Sequence, residues 1–262
     1  MGTDQNTLNN STQAALARAV VAFQVLTDKL NPVIKPLMDS IKLEENEQIQ
    51  LSSAGTLSRL LELCQSRTPC PNQKILKNVC TSLCADVEVT PKIVDGELDG
   101  ILTLVQQQRA AEKVTSATKR SGPVDVNESG SRALHVQRRG AAMVLKSIGS
   151  HFGPDLPTKV SYIWDTIMNT MAAAKLDYPH APDDPDRLAK GENLIQCLQI
   201  LEVMSSSSHP SLHGQLLDLL PTLCNLLQHP FRAVRHLASR CMAALGSIDS
   251  DRVLSVAVAT GT

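Results

Sequence analysis

Apolar residues recur along most of this chain with the 3.6-residue period of an amphipathic helix, and turn residues interrupt the pattern every ~12–20 residues. The first part reads as a helix over 13–30, capped by Ser11 or Thr12, and a helix over 32–41, with Asn31 as cap and Pro32 in its first turn. Helices over 45–64 and 71–84 follow, the second beginning after the Thr68-Pro69 breaker. Past Thr90-Pro91 the pattern weakens to a short candidate helix over 98–109. From 110 to 130 Lys, Ser, Gly, Asn and Glu dominate and the period is lost, which predicts a disordered linker. Helices resume over 132–151 and 156–171, the single Trp164 lying on the apolar face of the second with Ile163 and Ile167. The stretch 175–190 carries three prolines and four aspartates and predicts a loop. Helices over 192–204, 212–228 and 231–245 complete the pattern, and 253–259 reads as an interrupted helix, since a strand there would have nothing to pair with.

A self-comparison finds an internal repeat. With Ile49, Val136 and Val234 as position zero, the next residue is polar or basic in each copy: Gln50, Gln137 and Arg235. Small residues follow four and five positions on, at Ser53-Ala54, Gly140-Ala141 and Ala238-Ser239. Leu57, Val144 and Met242 come eight positions on, and the helices close on Leu60-Leu61, Ile148 and Leu245. A small-residue waist lets a neighbouring helix approach, while the aliphatics a turn later fill its groove. A second element also repeats, because Ile34 to Met38 resembles Leu219 to Leu223, each with a proline inside an aliphatic run that should bend its helix. Stacked two-helix units of about 40 residues, bent outside and waisted inside, are a HEAT-type arrangement. The expected fold is therefore all-α, a HEAT/armadillo-like superhelix of about five pairs with two long loops. Its divisions are a helical segment over 1–109, a linker over 110–131, a pair over 132–174, a loop over 175–190 and a helical segment over 191–262 that breaks off at its end.

Composition narrows the function. The 262 residues are 42% hydrophobic but only 2% aromatic, so the core is aliphatic and a base-stacking nucleic-acid platform is disfavoured. A formal net charge of −1 gives no global attraction to DNA or an anionic membrane, so any acidic partner needs a local basic patch. No apolar run approaches a membrane span and the start lacks a signal-peptide layout, from which a soluble, intracellular chain is expected. Seven cysteines, an odd count spread through helical patterns, suggest free thiols in a reducing compartment.

Candidate chemistry is sparse. Cys64, Cys70, Cys80 and Cys84 lack the paired spacing of a structural zinc site and read as small core thiols. Phosphate-loop, dinucleotide, nucleophile-elbow and zinc-protease motifs are all absent, which argues against catalysis and leaves no cofactor to expect. His209 and His213, four apart around Pro210, read as surface or capping histidines, and Asp183, Asp184 and Asp186 as a solvated loop. Basic residues offer more: Lys119-Arg120, Arg138-Arg139 and the set Arg232, Arg235 and Arg240 could meet an acidic surface. An arginine just after an inner-helix aliphatic, as at Arg235, also commonly pairs with the next repeat.

The run NPVIKPLMDSIK over 31–42, with EENE over 44–47, resembles the TATA-binding-protein-associated ATPase family of general transcription regulators. The similarity continues through RTPCPN (67–72), KILKN (74–78), GILTL (100–104), VQRRGA (136–141), HFG (151–153), IWD (163–165), AVRH (233–236) and ASRC (238–241). These matches run in order over most of the chain. The resemblance implies a central stretch of a HEAT solenoid that grips the TATA-binding protein, in a nuclear protein whose Swi/Snf-type ATPase lies outside this segment. It implies no catalytic residue here and promoter DNA as an indirect partner, but no particular contact residue; the contact candidates are the basic residues Arg138, Arg139, Arg232 and Arg235 read from the sequence itself. A generic helical-repeat adaptor and a truncated piece of a DNA translocase remain the alternatives. Uncapped solenoid ends further predict self-association.

Overall fold

A computed structural model describes residues 11, 12, 14, 15, 30–91, 93, 125–176 and 186–260. The expected helices over 13–30 and 98–109 fall almost wholly outside these residues, as do the linker up to 124 and the centre of the 175–190 loop. The helices are α1 (Asn31–Leu43), α2 (Glu47–Leu63), α3 (Asn72–Leu83), α4 (Asp125–Phe152), α5 (Leu156–Lys159) and α6 (Ser161–Leu176). They continue as α7 (Arg187–Ser205), α8 (Pro210–Leu217), α9 (Leu220–Leu226), α10 (Arg232–Gly246) and α11 (Ser250–Thr260). No strand occurs among the described residues.

The helices stack in two layers, as a HEAT-like solenoid requires. α2, α4, α7 and α10 pack in succession as the inner layer, while α1, α3, α6 and α9 lie against them as the outer one. The repeat read from sequence is the buried face of that inner layer. Ile49, Val136 and Val234 are all buried, as are Ala54, Ala141 and Ala238 one turn on and Leu57, Val144 and Met242 a turn beyond. α7 is the inner helix the repeat misses. Leu194, Ile195, Cys197, Leu198, Gln199, Ile200 and Leu201 are all buried, so it has neighbours on nearly every side and no single apolar stripe to detect.

Local sequence sets most helix ends. Asn46 caps α2, its side chain accepting from the backbone N–H groups of Gln48 and Ile49. α4 stops at Phe152 because Gly153 turns into the left-handed region at φ 50°, where a side chain would be strained. Four boundaries differ from the periodic reading. α4 starts at Asp125 rather than 132. The predicted 156–171 helix is broken at Val160, which leaves helical dihedrals at φ −128°, ψ 46° and buries its side chain. α7 begins at Arg187 and α6 reaches Leu176, so both helices extend into the span 175–190 expected as a loop.

The two prolines of the outer layer behave differently. Pro36 stays inside α1 as expected, but Pro221 sits in the first turn of α9, and the predicted 212–228 helix is divided into α8 and α9. Leu219 makes a short i−3 bond to Leu216 at the junction, tightening the chain where Pro221 supplies no N–H.

Candidate interaction surface

α4 carries two arginines side by side that reach in opposite directions. Arg139 donates through Nε to Gln50 Oε1 at 2.7 Å, through Nη1 to Glu47 at 3.0 Å, and through Nη2 to the carbonyl oxygen of Glu45 at 2.7 Å. Its guanidinium thus gathers the α1–α2 turn and the first turn of α2. Fully buried Gln50 completes this staple, donating through Nε2 to the carbonyl oxygens of Ile41 (2.8 Å) and Val136 (3.0 Å). Three helices therefore share one polar node. It closes only because Gly140 has no side chain, since a Cβ there would collide with the Ile41 carbonyl and lie 2.8 Å from Gln50 Nε2. The small-residue waist of the sequence repeat is this close approach.

Arg138 turns the other way, bridging the Leu83 carbonyl oxygen at the end of α3 (2.6 Å) and Gln199 Oε1 on α7. Gln199 Oε1 also accepts from Thr90 Oγ1 at 3.2 Å. Burial lowers the Arg138 pKa from its ordinary value, partly offset by nearby Cys84 and Glu202. Nearby, Asp86 is buried and faces His135 Nδ1 at 3.5 Å. A further cross-helix pair joins Arg240 of α10 to Glu202 of α7 at 2.7 Å.

The sequence-predicted arginines thus form two groups rather than one patch. Arg138 and Arg139 lie on α4, whereas Arg232 and Arg235 lie at the start of α10, and α7 packs against both helices. Arg235 donates to the carbonyl oxygens of His229 (2.7 Å) and Pro230 (2.8 Å), holding the loop before its own helix. All four are half-buried. Sequence reasoning missed Gln199 and Asp86 because single buried polar residues carry no spacing signal.

The other candidates settle as structural groups. All seven cysteines are free thiols, with Cys70 exposed and Cys84 half-buried. Burial pushes Cys80 up to about 12, helped by Cys84, and pushes Cys84 up to about 11, so neither is a ready thiolate. No cluster of three His, Cys, Asp or Glu side chains suited to a metal occurs among the described residues. His209 caps α8, its Nδ1 accepting from the Ser211 N–H, and His213 Nε2 lies 3.2 Å from the Ser208 carbonyl oxygen. Asp186 lies at the head of α7, while Asp183 and Asp184 fall outside the described residues. No described helix is long and apolar enough to cross a membrane.

Comparison with known sequences ties this architecture to a family. Residues 1–166 match a family profile described as "Domain of unknown function (DUF3535)". The human "TATA-binding protein-associated factor 172" is 35% identical over 290 aligned residues, covering 92% of this chain. "TATA-binding protein-associated factor BTAF1" of Arabidopsis thaliana is 26% identical over 97% of it, and the mot1 factor of Schizosaccharomyces pombe 28% identical over 88%. The chain belongs to this family of TATA-binding-protein-associated factors. It spans only 12–15% of the length of those relatives. The family-like runs fall on the framework just described: 31–42 lies in α1, 136–141 contains both arginines and Gly140, and 233–236 opens α10.

Proposed function

We propose that this chain is a non-catalytic scaffold segment of a nuclear transcription regulator, one that helps to bind the TATA-binding protein and to remove it from promoter DNA. One observation carries the reading: the chain aligns over 88–97% of its length with proteins named as TATA-binding protein-associated factors. The geometry supports a scaffold role, because Gln50, Arg138, Arg139 and Arg240 cross-link successive helices and would transmit a load through the array. On this reading ATP hydrolysis belongs to a Swi/Snf-type motor elsewhere in the longer protein, no cofactor is needed here, and DNA is met only through the TATA-binding protein.

Arg138, Arg139, Arg232 and Arg235 are the proposed contact set. Each is half-buried, so part of its side chain remains accessible to an acidic surface. The test is a titration of the purified chain against labelled TATA-binding protein, with and without promoter DNA, at two salt concentrations. Saturable binding that weakens with salt and with Arg232→Glu plus Arg235→Glu is expected. A folded helical spectrum with no binding up to tens of micromolar would refute the contact and leave the segment a spacer.

A further inference from the structure

A cleft lies where the outer helices α3 and α6 part and expose the side of α7. Its volume is about 990 Å³, and six of its lining side chains are amides: Gln65, Asn72, Gln73, Asn169, Asn193 and Gln196. Two smaller hollows adjoin it. One of 500 Å³ shares Asn193 and Gln196, and one of 250 Å³ shares Asn169 and Asn193 and is lined further by Ala173, Ala174, Leu194 and Lys190. Asn193 therefore stands where all three meet.

Among the described residues, the side chains of Asn169, Asn193 and Gln196 make no hydrogen bond, and the first two are exposed. Each side-chain amide offers two N–H donors and a carbonyl acceptor, the complement of a peptide group. The charges in the cleft are Lys77, Lys159 and Asp165, with Lys159 already paired to Asp155 at 3.0 Å, so no excess of cations is available for a phosphate backbone. No cluster of titratable groups converges there as in a small-molecule site. The 250 Å³ hollow suits a single aliphatic side chain.

From these features we infer that the α3–α6–α7 cleft binds an extended segment of a partner protein. Asn169, Asn193 and Gln196 pair with the segment's main chain, and one apolar side chain seats against Ala173, Ala174 and Leu194. Main-chain recognition makes the site tolerant of sequence, and the single hollow sets its register. This surface is separate from the arginine contact set, so either proposal can fail alone.

The test selects a phage-displayed library of random 12-residue peptides on the full chain and measures binding of the enriched peptides by fluorescence anisotropy. Enriched peptides should carry one aliphatic anchor in otherwise polar sequence. Their affinity should fall about tenfold or more in N169A/N193A, with the helical spectrum unchanged, because each lost hydrogen bond removes several-fold. Backbone N-methylation next to the anchor should weaken binding to a similar degree, while R232E/R235E should leave it unaltered. Failure to enrich peptides, or binding indifferent to the asparagines and to N-methylation, would overturn the inference. A synthetic peptide of residues 94–109 that displaces the selected peptides from the cleft would overturn it too, by making the occupant this chain's own segment.

Discussion

Adding one methyl group at Gly140 tests the packing node on which the array depends. The new Cβ would lie 2.8 Å from Gln50 Nε2 and 2.9 Å from the Ile41 carbonyl carbon, with that carbonyl's oxygen nearer still. Neither neighbour is a flexible tip, because one is backbone and the other is held by two buried hydrogen bonds. α4 must therefore move from α1 by roughly 1 Å, and overpacking of this kind costs about 1–3 kcal/mol. The movement also stretches the Gln50 bridge between Ile41 and Val136, and a buried polar group left unmade adds about 1–3 kcal/mol. Better helix propensity of alanine returns about 1 kcal/mol. The net loss is about 1–5 kcal/mol, which for a chain of this size lowers the melting temperature by about 2–20 °C. Gly55→Ala is the matched control, since it lies mid-α2 with nothing within 4 Å of an added Cβ, and it should melt slightly higher than the parent. Thermal unfolding by far-ultraviolet circular dichroism reads both variants. G140A melting at or above the parent while G55A rises would show that α1 and α4 do not depend on this close approach.

Three further outcomes follow from other parts of the structure. Arg138→Ala and Gln199→Leu should each destabilise the chain, and a double-mutant cycle in urea should give a coupling of about 1–2 kcal/mol; additive effects would mean the two side chains do not interact. Burial raises Cys80 and Cys197 to about 12 from an ordinary value of 9.0, so the unfolded chain loses these protons first as pH rises. Stability from these thiols is complete below about pH 9 and is lost progressively as pH rises toward about 12. A urea midpoint under reducing conditions should therefore fall between about pH 8 and about pH 11, and C80A/C197A should flatten that slope. At the far end, Leu254 and Val258 of α11 are exposed at 63% and 79%, one turn apart. If copies of the chain associate through this face, L254E/V258E will shift sedimentation toward monomer; an unchanged profile would remove α11 from the contact.

The helical class, the two-layer repeat and the face of three inner helices were legible along the chain, because period and small-residue spacing depend only on neighbours within one helix. The sequence located Gly140, Arg138 and Arg139 and the motif runs that mark the family. It left α7 unmatched, since a helix covered on nearly every side has no amphipathic stripe, and it extended one helix across Val160 and another across the α8–α9 junction. Nothing along the chain indicates that Gln50 and Gln199, 149 positions apart, are both buried hydrogen-bonding partners of adjacent arginines. Tertiary structure alone decided those pairings and the joining of Asn169 with Asn193 in one cleft. A lone polar residue takes its role from what folding brings beside it, and an inner helix takes its burial from helices distant in sequence.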